Sequence, residues 1–253
     1  MSLLSKLSFQ LYSARNFPPL ASQLATLHDL GYQNVEPFGG LYGDIVGFST
    51  ELKAHNLAAP TGHFGIDQLE EGFSSALNVA QTLKMSVVIC PYLVVEQRPN
   101  DAAGWKAFGA RLSAVRRKLS GHGIGFGWHN HDFEVMPLAD GSMPLDHILG
   151  ADPELKWEAD IGWIARAGQD PLHWLAKYSG RVAALHVKDI APKAEPVVED
   201  GWADVGHGTL NWAQIIPAGL KAGAQTLVVE HDNPADFHRF ASRSIAAVKG
   251  WAF

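Results

Sequence analysis

The sequence predicts a single (β/α)8 barrel, and three observations lead there. Eight short apolar runs recur along the chain, segments of helical period lie between them, and six runs carry acidic, basic or imidazole residues at their C-terminal ends. At 253 residues the chain also has the length at which such a barrel commonly forms one domain. Residues 1–253 are therefore read as one unit.

The runs expected as strands are Leu7–Leu11, Gln33–Glu36, Leu57–His63, Ser86–Cys90, Ile124–His129, Leu155–Asp160, Val182–Lys188 and Thr226–His231. They are short and rich in Val, Ile, Leu or aromatic residues, as parallel strands buried on both faces should be. A helix is expected over Pro18–Leu30, with Leu20, Leu24, Leu27 and Leu30 on one face and Gly31 as its stop. A second spans Asp67–Leu83, starting on Asp67 with Glu70 and Glu71 in the first turn. A third runs from Asp101 to Leu119 and stops at Gly121; Asn211–Lys221 and Pro234–Val248 complete the set. An open doubly wound sheet competes with the barrel. No G-x-G-x-x-G follows the first strand, which weakens its nucleotide-binding form. Two connections are long, Asn130–Pro144 and Ile190–Leu210, and both lie on the side where barrels build their sites.

Composition narrows the function. The chain is 47% hydrophobic and 18% charged, which excludes disorder. No stretch approaches the roughly 18 apolar residues of a membrane span, and the N-terminus has no signal-peptide pattern. Cys90 is the only cysteine, so no intrachain disulfide forms and a reducing cytoplasm is expected. The net charge of −6 disfavours nucleic acid. Apolar outer helix faces are compatible with a homodimer.

Polar residues at strand ends need a reason. Glu36, His63, His129, Asp160, His186 with Lys188, and Glu230 would be gathered into one ring by the barrel. Buried charges there are costly unless they are paired or hold a cation. Period-two alternation turns His129 and His131 toward the axis, leaving Phe126 and Trp128 for the outer helices. It likewise turns His186 and Lys188 inward, and puts Glu158 on the face of Asp160. Asp160, His186 and Glu230, with His129 or Glu134, make a mixed nitrogen and oxygen set suited to Mn²⁺, Co²⁺, Zn²⁺ or Fe²⁺. Such an ion would act as a Lewis acid on a sugar carbonyl and stabilise an enediolate, while a neighbouring carboxylate or imidazole moves the proton.

These motifs resemble the xylose-isomerase-like TIM barrel family of sugar phosphate isomerases and epimerases. The likeness rests on FQLYSAR at 9–15, LGYQNVE at 30–36, WHNHDFE at 128–134, ADIGW at 159–163, HVKD at 186–189, DVGHGTLNW at 204–212 and VVEHD at 228–232, in the family's order. WHNHDFE is similar to the Y/W-H-N-H-x-x-E signature of one subgroup. The resemblance implies one divalent metal, Mn²⁺ foremost, with Co²⁺, Zn²⁺, Fe²⁺ or Mg²⁺ as alternatives. Its ligands by position are Asp160, His186 and Glu230. Where many relatives have a glutamate ending the fifth strand, this chain has His129, with Glu134 five residues on; His129 is favoured on strand register. In epimerase relatives two glutamates act as paired acid and base, so Glu230 would need a partner among His129, His131 and Glu134. Lys188 would steady an oxyanion or form a salt bridge to Asp160 or Glu158. Glu36, His63, Trp163 and Arg15 are expected to contact substrate.

The expected activity is thus a metal-dependent isomerase or epimerase acting on a sugar or keto-sugar. Its runner-up is a lyase that eliminates a β-substituent from a keto-sugar or glycoside at the same site. An apurinic-site endonuclease, found on a similar barrel, needs more His ligands; Trp163 stands where one is expected. A sugar-binding barrel without catalysis would have little reason to keep Asp160, His186 and Glu230.

Overall fold

The computed structural model describes residues 3–193 and 198–251; residues 194–197, within the long connection expected before Leu210, lie outside them. All eight expected runs form strands: β1 (Leu7–Gln10), β2 (Asn34–Glu36), β3 (Thr61–His63), β4 (Val87–Cys90), β5 (Gly125–His129), β6 (Lys156–Asp160), β7 (Val182–Val187) and β8 (Thr226–Val229). Every pairing among them is parallel, and the sheet runs β2-β1-β8-β7-β6-β5-β4-β3. The remaining seam, between β2 and β3, is bridged ahead of β3 by Val35 donating to the Ala58 carbonyl at 2.8 Å and Ala58 to that of Gln33 at 3.0 Å. Eight parallel strands thus form a nearly closed barrel, because right-twisted strands alternating with helices curl until the sheet meets itself.

Helices cover the outside: α1 (Leu20–Leu30), α2 (Ile45–Ala54), α3 (Ile66–Glu70), α4 (Phe73–Thr82), α5 (Ala102–Ser120), α6 (Pro144–Gly150), α7 (Ile161–Arg166), α8 (Pro171–Lys177), α9 (Trp212–Lys221) and α10 (Phe237–Gly250). The helix expected over Asp67–Leu83 is divided around Gly72, and its first part is capped at Gly65 rather than Asp67. Helices α2, α6, α7 and α8 are not among those expected from the sequence; the last three span only six or seven residues, too few to show a helical period. Gly31 closes α1 in the left-handed region at φ 98°, which a residue with a Cβ adopts only with strain.

The core lies between strands and helices. Trp128 of β5 meets Phe108 of α5 edge-on with centroids 5.1 Å apart, and Trp157 of β6 meets Tyr178 at 5.8 Å. Both strands therefore turn their opposite face, carrying His129, Glu158 and Asp160, into the barrel. Register then aligns the site: His129 pairs with Glu158 across β5–β6, and Asp160 with His186 across β6–β7. A register shift at Trp157/Glu158 lets β7 supply one extra residue, the kind of irregularity that re-aims side chains beside active sites.

Candidate active site

The strand ends meet at the floor of a cleft of about 810 Å³. Among the described residues the floor has two overlapping groups of ligand atoms, each within 4.8 Å of one another: Asp160, His186 and Glu230, and His63, His129, Glu158 and His186. His186 belongs to both. Its Nδ1 faces Glu230 at 2.8 Å, and its Nε2 faces Glu36 at 2.8 Å and Glu158 at 3.0 Å.

Asp160 does two things at once. Its Oδ1 accepts from the Trp163 backbone N–H at 2.8 Å and caps α7. Its Oδ2 is buried without a hydrogen bond, yet has Lys188 Nζ at 3.7 Å, His129 Nε2 at 3.8 Å and His186 Nδ1 at 3.9 Å around it. Burial pushes this carboxyl up to about 7. Glu158 Oε1 is likewise buried and unpartnered. Two orphaned carboxylate oxygens among imidazoles fit a divalent cation, which takes oxygen and neutral nitrogen donors in the same shell.

Protons stand in part for such an ion. Burial opposes charge on His63, but Glu36 and Glu158 beside it outweigh that and raise the ring to about 9; His186 is raised for the same reason. His129 goes the other way, to about 4, because burial is reinforced by the neighbouring His186. Lys188 is buried between Asp232 at 2.7 Å and Glu230 at 3.1 Å, and those carboxylates hold its ammonium charged against burial. Gly162 permits this packing, since a Cβ there would lie 2.7 Å from the Lys188 carbonyl oxygen.

Several expected site residues line the cleft: His63, His129, His131, Trp163, Arg15 and Glu230. The ring of His131 lies 5.3 Å from that of Trp163. Its Nδ1 has no hydrogen bond, and burial keeps its pKa well below the ordinary imidazole value. Two residues are placed differently from expectation. Glu134 turns away from the cleft: Trp128 Nε1 donates to it at 3.1 Å and the His131 backbone N–H at 2.8 Å, and burial raises it to about 8. Its carboxylate thereby ties the turn Phe133–Val135 to β5. Glu36 lies beneath the cleft, accepting from Gln10 at 2.8 Å and from Thr61. His129 sits with Glu158 at 3.0 Å as well as near Asp160, so it borders both ligand groups. Glu158, whose Oε2 also meets His63 at 2.7 Å, is the member that sequence ranking passes over; its shared face with Asp160 was the available signal.

Known proteins can now be set beside this geometry. No protein-family model and no curated protein matches the sequence. Among solved structures, a sugar phosphate isomerase/epimerase from Parabacteroides distasonis matches with a TM-score of 0.79 at 19% identity, over 95% of this chain and 92% of that one. The fold is that of the xylose isomerase-like TIM barrels. A xylose isomerase-like TIM barrel protein from Mycobacterium smegmatis, in complex with magnesium, gives 0.74 at 16% identity, covering 98% and 97% of the two chains. The probable 3-DHS dehydratase AsbF from Bacillus anthracis gives 0.78 at 13% identity over 97% and 99%. One xylose isomerase-like scaffold thus carries isomerase and dehydratase names, and the side chains must decide the chemistry.

Proposed function

We propose that the protein is a divalent-metal-dependent isomerase or epimerase that acts on a sugar or keto-sugar by removing a proton next to a carbonyl. The observation that carries this reading is Asp160 Oδ2, buried without a hydrogen bond where His186 and Glu230 converge at the floor of the cleft. Asp160, His186 and Glu230 would hold the ion, with His129 at its edge; Mn²⁺ is the proposed metal, and Zn²⁺, Co²⁺, Fe²⁺ and Mg²⁺ suit the same donors. When bound, a divalent ion supplies Lewis-acid polarisation of the sugar carbonyl.

The chain's own residues do the rest. His131 lines the cleft and is kept neutral by burial, so it can accept the carbon-bound proton. The His131 imidazolium so formed returns the proton to the neighbouring carbon, while Glu230 is kept ionised against its burial by Lys188 and His186. Lys188 holds Glu230 and Asp232 in place and brings positive charge toward a developing oxyanion.

Elemental analysis of wild type and His186→Ala tests the metal, and incorporation of deuterium into keto-sugars from D₂O tests the proton transfer. About one ion per chain is expected in wild type and little in the variant. His131→Gln should keep the metal and lose the exchange. Failure of wild type to bind any ion, even after addition of Mn²⁺ or Zn²⁺, overturns the reading. Product analysis separates isomerisation from elimination of a β-substituent, which begins with the same proton removal.

A further inference from the structure

The walls of the cleft differ in chemistry from its floor. Tyr12 and Phe38 meet edge-on at 5.3 Å after β1 and β2, and Tyr92 and Phe133 at 6.1 Å after β4 and β5. His131 lies flat on Phe133, with centroids 5.9 Å apart and planes 15° off parallel, and is followed by Trp163. The proposed base is thus part of a continuous aromatic wall. Among the described residues seven large apolar side chains are exposed, and Tyr12, Tyr92 and Val95 of these line this cleft. Exposed apolar side chains gathered at a concave site mark ligand contact.

The cations at the mouth are already engaged. The Arg15 guanidinium lies 3.8 Å over the Tyr12 ring and donates to the backbone carbonyls of Tyr12 at 2.8 Å and Asp232 at 2.6 Å. The Arg98 guanidinium lies 3.5 Å over Phe133 and donates to the Leu93 carbonyl at 2.9 Å. Against these two stand four carboxylates on the cleft lining: Asp132, Asp200, Glu230 and Asp232. A phosphate ester entering here would find both arginines committed elsewhere and Lys188 already on Glu230 and Asp232, with Asp132 and Asp200 left to repel it. The cleft volume of about 810 Å³ also lies high in the range of roughly 300–1,000 Å³ that holds a drug-sized ligand, so one hexose leaves it partly empty.

We propose that the substrate is an uncharged glycoside of a keto-sugar carrying a flat apolar group, with its sugar on the imidazole and carboxylate floor and the flat group against the aromatic wall. This rests on the proposed function only for the sugar half of the ligand. The aromatic rings supply area at low entropic cost, and Arg15 and Arg98, stacked on Tyr12 and Phe133, stiffen the wall.

Isothermal titration calorimetry tests this with methyl and phenyl β-glucosides, β-galactosides and β-xylosides, and with glucose against glucose 6-phosphate. The wild-type protein is titrated as purified and after Mn²⁺ addition. In at least one sugar pair the phenyl glycoside should bind about tenfold tighter than the methyl glycoside, and the 6-phosphate should gain nothing over glucose. Tyr92→Ala should bring the phenyl-to-methyl ratio below three, and Tyr92→Phe should restore it. A ratio below five in all three pairs, tighter binding of glucose 6-phosphate than of glucose, or no binding by any phenyl glycoside overturns the proposal. Binding is read without turnover. A phenyl preference without deuterium exchange removes the proposed reaction and leaves the substrate class, and exchange without that preference does the reverse.

Discussion

Lys188 carries the plainest electrostatic consequence at the scale of single residues. Its ammonium lies 3.1 Å from Glu230 and 3.7 Å from Asp160, both members of the Asp160–His186–Glu230 ligand group, so lysine and a divalent ion draw on the same carboxylates. Lys188→Met should therefore bind Mn²⁺ about tenfold tighter or more, since a nearby positive charge is gone. The metal-free variant should be less stable by on the order of 3 kcal/mol, because Asp232 and Glu230 lose their buried partner. Titration with Mn²⁺ and urea denaturation check the two halves; unchanged affinity would mean that the ammonium and the ion do not share a site. His186 and Glu230 could be found from strand parity alone. Glu158 could not be ranked that way, because an inward carboxylate reads as an ion-pair partner of a neighbouring lysine until three imidazoles are seen to surround it. Glu134 misled for a related reason: motif spacing places it near the site in sequence, and only the turn at Phe133–Val135 shows its carboxylate pointing to Trp128.

Among the loops and elements, the segment after β7 depends on one carboxylate. Asp189 follows Lys188 and accepts from the backbone of Gly206 at 3.0 Å, Gly208 at 3.1 Å and Leu210 at 3.2 Å, and from Trp212 Nε1 at 2.8 Å. It ties the loop into α9 and so fixes the end of β7 that carries His186 and Lys188. Asp189→Ala leaves several buried donors unpaired and should cost on the order of 3 kcal/mol in urea denaturation. If the loop is a clamp on the site, the variant at low temperature should also bind Mn²⁺ more weakly, which a remote packing defect would not cause. Asp189 of HVKD and the amides it binds in DVGHGTLNW lie seventeen or more residues apart along the chain, but nothing in either motif specifies that one carboxylate of the first gathers the amides of the second. That is a property of the folded loop.

For the molecule as a whole, site and stability are linked through the barrel. The ligand residues come from different strands, so an ion bound among them ties β6, β7 and β8 together. An ion that binds the folded chain alone stabilises it by about 2.7 kcal/mol at a hundredfold excess over Kd. For a chain of this size that raises Tm by about 5–10 °C. Calorimetry of wild type with and without Mn²⁺ should show that rise, and His186→Ala should not; an equal shift in both would place the ion elsewhere. No helix among the described residues is long and apolar enough to cross a membrane. By itself the sequence determined the eight strands, their parallel arrangement and the inward faces of the last four, because apolar period and turn residues act over a few neighbours. Only the tertiary structure decided that Asp160 Oδ2 is left without a hydrogen bond, that Glu134 faces away and that the cleft arginines lie on aromatic rings. Those outcomes depend on distances between residues far apart in the chain, which closure of the barrel sets and local pattern does not encode.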